Sequence, residues 1–470
     1  MKTSLQSTLL AAAIVVALSG CAVGDAYQRP QAALPAQWDG AIATTSSTTS
    51  STTSATTAAA DSTIDAEWWR GFGSDELDAL MEQALAANHD LGAALARIQQ
   101  SRASAGIARA NQLPTAGISA SASGSDRQGD SGNGQLNASV SYELDLWGGN
   151  AARSDAAAAR LDASLYDRDA LALVLQADVA SNYFQILALK ERLAIARQNL
   201  EAAQSVLTLV ETRFRNGANS GLEVSQQRTS VLNIQAQIPA LKQELRSTQT
   251  ALAVLLGQAP QGFAVRGESL AALHLPQVAP YQPAALLERR PDIARAEAQL
   301  VAANADIGAA RAELYPRITL SAGSAASGLL SGGGSVVTSL VASLAQTIFD
   351  GGTQRGQLAQ SEARQTELVQ SYLQDVLVGL KEVQDSLGAA QASAARQSLL
   401  AQAAGEAQEA YRIASVKYKA GAEDLLTLLD SQRAQLQSQD GQVQAALARY
   451  TSAVNLYKAL GGGWDSGKAG

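Results

Sequence analysis

Two hydrophobic periods alternate along this chain, and each occurs twice. From Gln135 to Leu144, the apolar residues Leu136, Ala138, Val140, Tyr142 and Leu144 take every second position, while Asn137, Ser139, Ser141 and Glu143 take the others. A period of two puts one set on each face of a β-strand. Residues 115–125 alternate more weakly through Ile118, Ala120 and Ala122, and 317–325 and 336–349 repeat the pattern downstream. The glycine-rich stretches Gly124 to Gly134 and Gly328 to Gly334 read as hairpin loops. After Gly148-Gly149 and Gly351-Gly352 the period lengthens. Sampled at 4-3 spacing from Leu161 to Phe214, fourteen of sixteen positions are apolar, which is the seam of a coiled coil. At about 1.5 Å per residue, a helix over 151–215 spans ~100 Å and the returning helix over 219–256 only ~57 Å. Two short helices stacked end to end match one long one, so a barrel of helices with paired short rods is expected. Pro239 removes one backbone donor and predicts a kink in the returning helix.

The repetition is a duplication. Gly217 and Gly421 lie 204 residues apart, as do Leu256-Gly257 and Leu460-Gly461, while Asn88-His-Asp-Leu answers Arg290-Pro-Asp-Ile at 202. Solenoid periods are far shorter, roughly 20–50 residues. The expected organisation is a signal peptide over 1–20, an N-terminal extension over 21–66, a first repeat over 67–264, a second over 265–461 and a tail over 462–470. The first repeat carries strands at about 115–145 and the long helix at about 151–215. The second carries strands at about 317–349 and the long helix at about 353–419. Ahead of the strands, helical stretches over 75–112 and 283–315 break near Asp90 and Asp292; Pro291 suits a first helical turn and Asp292 the positive end of the dipole. The fold class is mainly α with membrane β: a long coiled-coil helical barrel plus four strands per chain.

Strands of about 9–11 residues suit a tilted membrane strand. A sheet in lipid must close, because an open edge leaves backbone groups unpaired. Four strands cannot enclose a channel, whereas three chains pool twelve, more than the eight that side chains alone fill. A soluble four-stranded sheet packed on helices is the competing reading, but the sequence offers it no thick apolar partner face.

Composition narrows the field. Aromatic residues are 4% of 470 and alanine dominates the helices, which predicts narrow helix packing and no thick globular core. A net charge of −8 with no basic cluster excludes nucleic acid as a partner. His89 and His274 are isolated residues of a helix or loop, and no zinc-type spacing occurs. There is no Cys–His pair, GxSxG or phosphate loop, so the chain reads as no enzyme. The sole cysteine is Cys21. A basic start at Lys2, a short apolar run from Leu9 to Leu18 and Leu18-Ser19-Gly20-Cys21 form a signal peptide ending in a lipobox. Cleavage there leaves Cys21 to carry diacylglycerol and an N-acyl chain, the only non-protein group expected. Ala22, with no Asp after the cysteine, implies passage to the outer membrane. Thr44 to Thr57, nearly pure Ser, Thr and Ala, is a flexible linker.

Leu287-Glu-Arg-Arg-Pro-Asp-Ile, Tyr315-Pro-Arg-Ile, Phe349-Asp-Gly-Gly, Leu425-Leu-Thr-Leu-Leu-Asp-Ser-Gln-Arg and Asn455-Leu-Tyr-Lys-Ala-Leu-Gly-Gly-Gly-Trp resemble the outer membrane factors of tripartite efflux systems. Their lipoprotein branch, NodT- and OprM-like within the TolC superfamily, is the nearest. The resemblance implies a homotrimer with a twelve-stranded barrel in outer-membrane lipid and a twelve-helix tunnel extending into the periplasm. It also implies a periplasmic adaptor and an inner-membrane RND-type transporter as partners. In similar channels an acidic and apolar ring closes the periplasmic tip. The matching residues are Leu426, Asp430 and Arg433, with Leu222 and Gln226 as first-repeat counterparts. Because Gln226 is uncharged, the ring would hold one carboxylate per subunit. Asp430 reads equally as a solvated helix charge paired to Arg433. The turns at Arg213, Arg215 and Gly217 and at Lys417, Lys419 and Gly421 correspond to the adaptor-docking turns, although cations and a glycine also suit any helix C-terminus. The implied function is a passive exit duct for drugs and other small molecules. A type I secretion duct, a metal-ion efflux duct (disfavoured by the few His and Met) and a lipid-anchored coiled-coil envelope protein are the alternatives.

Overall fold

The computed structural model describes residues 23–38, 64–124, 133–276, 278, 280, 282–328 and 334–464. The signal peptide, Cys21, the Ser/Thr-rich linker, the centres of both hairpin loops and the tail beyond Trp464 lie outside them. In chain order the helices and strands are α1 (Asp75–Ala87), α2 (His89–Ala110), β1 (Thr115–Ser123), β2 (Asn133–Leu144), α3 (Gly149–Arg215), α4 (Gly221–Leu255), the single turn α5 (Leu286–Arg289), α6 (Pro291–Ala312), β3 (Arg317–Ser327), β4 (Ser335–Ala345), α7 (Thr353–Ala420) and α8 (Leu425–Ala459). The two repeats therefore share one order of helix, two strands, a long helix and a 35-residue helix. Pro239 sits inside α4, which runs unbroken across it.

The compact units cut across the repeats. One comprises Met1–Ala32, Ala94–Asp167 and Asp292–Asp375; the other Ala33–Ala93, Arg168–Pro291 and Val376–Gly470.

In the first unit, β1 to β4 form one antiparallel sheet in sequence order. The register pairs Ala116 with Val140, Val140 with Ala322 and Ala322 with Leu340. The strand expectation holds except at the end of β4, which stops at Ala345 and not at 349, and β1 and β4 end the sheet as free edges exposed along their length. Where the sheet meets the helices, the Trp147 ring stacks on Tyr315 at 4.8 Å and its indole N–H donates to the Pro316 carbonyl at 2.8 Å. Small residues bring α3 against α6: Ala156, Ala159, Ala302 and Ala303 are buried, and a Cβ on Gly149 would lie 2.9 Å from the Ala312 Cβ. Residues 23–32 carry no helix or strand and are tied down by Asp25–Arg311 at 2.5 Å and Arg29–Glu297 at 2.6 Å.

The second unit overturns the expectation of a core without bulk. Trp68, Trp69, Phe72, Phe184, Tyr450 and Tyr457 are all buried in one cluster. Trp68 stacks on Tyr457 at 4.9 Å, and Phe184 lies 4.9 Å from Phe72 and 5.2 Å from Tyr450. The Tyr450 hydroxyl donates toward the carbonyls of Leu270 and Leu273. A small aromatic total misled because segments distant in sequence gather these rings at one place. Away from this cluster the packing is narrow, as expected. Leu189, Leu193 and Ala196 of α3 meet Leu241 of α4, and Ala203 meets Val231 and Ile234. Phe214, the last position assigned to the α3 seam, is instead 48% exposed. It occupies the final turn, where α3 ends and α4 has only begun.

The helix breaks fall two residues before the expected aspartates, at Asn88 and Arg290. Asn88 is the cap of α2: its Oδ1 accepts from the amides of Asp90 and Leu91 at 2.9 and 3.0 Å, satisfying two of the orphan donors of a helix start.

Candidate functional site

The two turns expected to matter are built alike. α3 is followed by Gly217 with φ +74°, and α7 by Gly421 with φ +76°. Gly217 N–H donates to Phe214 O and Ala218 N–H to Arg213 O; Gly421 and Ala422 do the same toward Tyr418 and Lys417. This is the double carbonyl closure of a Schellman motif, which needs a left-handed residue after the helix. No atom lies within 4 Å of a Cβ placed on either glycine, so backbone conformation and not crowding selects glycine there. α4 then starts with a capping box, in which Ser220 Oγ accepts from Glu223 N–H and Glu223 Oε2 accepts from Ser220 N–H at 2.6 Å. α8 starts on Asp424, whose Oδ1 accepts from Thr427 N–H at 2.8 Å; this amide holds the Asp424 carboxyl below its usual range.

The four basic residues are not equivalent. Lys417, Lys419 and Arg215 are exposed, and Arg215 donates to Thr212 Oγ1 at 3.2 Å. Arg213 is committed internally. Its guanidinium sits 4.9 Å over the Tyr418 ring and donates to the Lys419 carbonyl at 2.9 Å. Asn219 Nδ2 donates to the Tyr418 hydroxyl at 3.0 Å, and Tyr418 itself is buried among Val206, Val210, Leu425 and Leu428. The two turns are thus one joined surface. Tyr418 and Asn219 were not singled out from sequence; an aromatic between two lysines that repeats Phe214 at 204 residues was the available signal.

Of the expected gate residues, Gln226, Leu426 and Arg433 line one groove between α4 and α8, of about 880 Å³, together with Asn233, Arg192 and Asp440. Leu222 and Asp430 lie outside its lining; Leu222 is 67% exposed and Leu426 58%. Asp430 and Arg433 form the expected i,i+3 ion pair at 3.1 Å, with both side chains largely solvated. Further along the groove, Arg192 and Asp440 pair at 2.6 Å.

Sequence reading missed a row of buried glutamines. Gln227, Gln432 and Gln435 are buried. Gln227 Nε2 donates to Ala203 O at 2.8 Å, and Ser230 Oγ approaches Gln432 Oε1 at 3.4 Å. The signal was present, since Leu425, Leu428, Gln432 and Gln435 continue a 3-4-3 seam with polar residues at buried positions.

A family model described as "Outer membrane efflux protein" matches residues 80–258 and again 283–462. The pyoverdine export outer membrane protein OpmQ of Pseudomonas putida is 41% identical over 86% of this chain and 89% of that protein. The antibiotic efflux pump outer membrane protein ArpC of Pseudomonas putida is 32% identical over 98% of this chain and 96% of that protein. Among solved structures, the outer-membrane channel OprN superposes with a TM-score of 0.83 at 29% identity, covering 94% of this chain and all of that one. With its duplicated order, four-stranded sheet and paired glycine turns matched across nearly the whole chain, this protein belongs to the outer membrane efflux protein family.

Proposed function

We propose that this chain is the outer-membrane exit duct of a tripartite efflux pump, working as a homotrimer whose three sheets close into one twelve-stranded barrel. The observation that carries the reading is the sheet itself. Its strands, 9 to 12 residues long, have an apolar face and two free edges, and an open edge cannot be left in lipid. Three copies supply β1 of one chain to β4 of the next. Cys21, lipidated, adds a second attachment, since one acylated terminus alone binds a bilayer only marginally.

A periplasmic adaptor docks on the joined turns around Gly217 and Gly421, through Lys417, Lys419 and Arg215, and an inner-membrane RND-type transporter drives export. Arg213 holds the two turns together. Leu426, Asp430 and Arg433, with Leu222 and Gln226, form the gate at the same end. The chain performs no chemistry: the transporter supplies the energy, and engagement of the turns opens the path. The pyoverdine exporter at 41% identity, against 32% for the antibiotic pump protein, favours a pyoverdine-like molecule as the natural cargo.

The test is purification in detergent with mass measurement and conductance in planar bilayers. A trimeric particle passing current is expected; a monomer passing none overturns the reading. Deleting the gene should lower release of a pyoverdine-like molecule into the medium, and unchanged release would remove that cargo while leaving the duct in place.

A further inference from the structure

The strand register sorts side chains onto two faces. Row by row, Ala116, Val140, Ala322 and Leu340 share one face, and Gly117, Ser139, Gly323 and Ser339 share the other. The first face is apolar throughout most of its length, with Leu144, Ile318 and Leu344 in another row. The second is mostly polar, with Val337 and Val341 of β4 as exceptions; on it Thr115 Oγ1 lies 2.9 Å from Ser141 Oγ and Ser327 Oγ lies 3.0 Å from Ser335 Oγ. In a closed membrane barrel the apolar face meets lipid and the polar face lines the lumen.

Across all four strands the sequence holds only two charged residues, Glu143 and Arg317. Both fall on the polar face: Glu143 is registered against Thr319, which shares that face with Arg317 two residues away. They pair at 3.6 Å, with Arg317 58% and Glu143 36% exposed. Glu143 also accepts from Asn150 Nδ2 at 3.4 Å. Both residues sit at the end of the sheet that adjoins the helices, beside Asp145, Arg153 and Glu313. So loose and solvated a pair contributes little to folding. Along the strands the polar face carries no other charge, so this pair, with the neighbouring Asp145, Arg153 and Glu313, sets the field at that end of the sheet.

We propose that Glu143 and Arg317 form a charge-balanced filter at the membrane throat: a self-compensated ring, repeated in each subunit, that keeps the throat open to polar solutes of either sign. This inference rests on the exit-duct reading above. The mostly polar lining fits a strongly hydrated, hydrogen-bonding cargo, and the matched charges avoid trapping an ionic one.

The test is the reversal potential of the purified full-length protein in planar bilayers under a KCl gradient. Arg317→Gln leaves an unopposed carboxylate and should raise cation over anion permeability about twofold or more, as rings of one sign do in other pores. Glu143→Gln should shift it the opposite way, and the double variant should return to the wild-type value. Ser339→Asp, in the middle of the polar face, calibrates the shift that one lumen carboxylate produces. Single variants that match the wild type while Ser339→Asp shifts would place the pair outside the conduction path and overturn the filter. Silence from all three variants would overturn it as well, and absence of any current from the wild type would instead sink the duct reading.

Discussion

Asn88 and Arg290, 202 residues apart, perform the same task in the two repeats. Asn88 Nδ2 donates to the Leu255 carbonyl at 2.9 Å, at the end of α4. Arg290 Nη1 donates to the Ala459 carbonyl at 3.0 Å, at the end of α8. Each residue interrupts a helix and satisfies the last carbonyls of another, which a helix terminus cannot do for itself. The Leu-Gly repeats belong to the same joints. A Cβ on Gly257 would stand 2.2 Å from the Ala87 carbonyl oxygen, and one on Gly461 would stand 1.9 Å from that of Arg289.

Replacing Asn88 by Ala removes both the cap of α2 and the donor to Leu255. The cost should be about 1–3 kcal/mol, read as a lower thermal transition of the purified protein. Arg290→Ala should cost more, because Glu382, 2.7 Å from the guanidinium, loses its partner too. An Asn88→Ala protein as stable as the wild type would show that the joint does not hold the helices.

Asp430→Ala should leave stability almost unchanged, since the exposed pair with Arg433 contributes about 0–1 kcal/mol. It should nevertheless make the closed duct leakier to large antibiotics. Susceptibility of a strain lacking the pump measures this, and an unchanged inhibitory concentration removes Asp430 from the gate.

Gly217→Val and Gly421→Val force a β-branched residue into the left-handed region, at about 1–2 kcal/mol each. With open space around both glycines, the damage should stay local. The trimer should still form while pump-dependent resistance falls. Normal resistance in both variants would count against adaptor docking at these turns.

The start of α8 should loosen in acid. The Asp424 carboxyl is depressed by the Thr427 amide, so the cap it provides is present above the ordinary carboxylate range and is lost as pH falls through the depressed value. The start of α8 should therefore begin to exchange its amide hydrogens faster under acid conditions. Asp424→Asn keeps a capping side chain without the titration and should abolish that pH dependence; equal dependence in both proteins would refute it.

Periodicity was enough to place the strands and the long helices, because a period of two or 3.5 reports directly which face of an element is buried, and the glycines repeated at 204 residues marked both turns. It also placed Arg433 one turn from Asp430, since that spacing is fixed by helix geometry. The family match was needed to read those same positions as a gate. What the chain could not declare locally depends on partners distant in sequence. Phe214 satisfies the seam pattern, yet it is exposed because the helix ends beneath it. Arg213 looks like a free cation until Tyr418 and the Lys419 carbonyl, 206 residues away, are folded against it. The buried glutamines, the aromatic cluster of the second unit and the Asn88 and Arg290 joints are of the same kind. Local backbone preference was written in the sequence; which polar groups are satisfied, and by whom, was decided only when the two repeats packed into shared units.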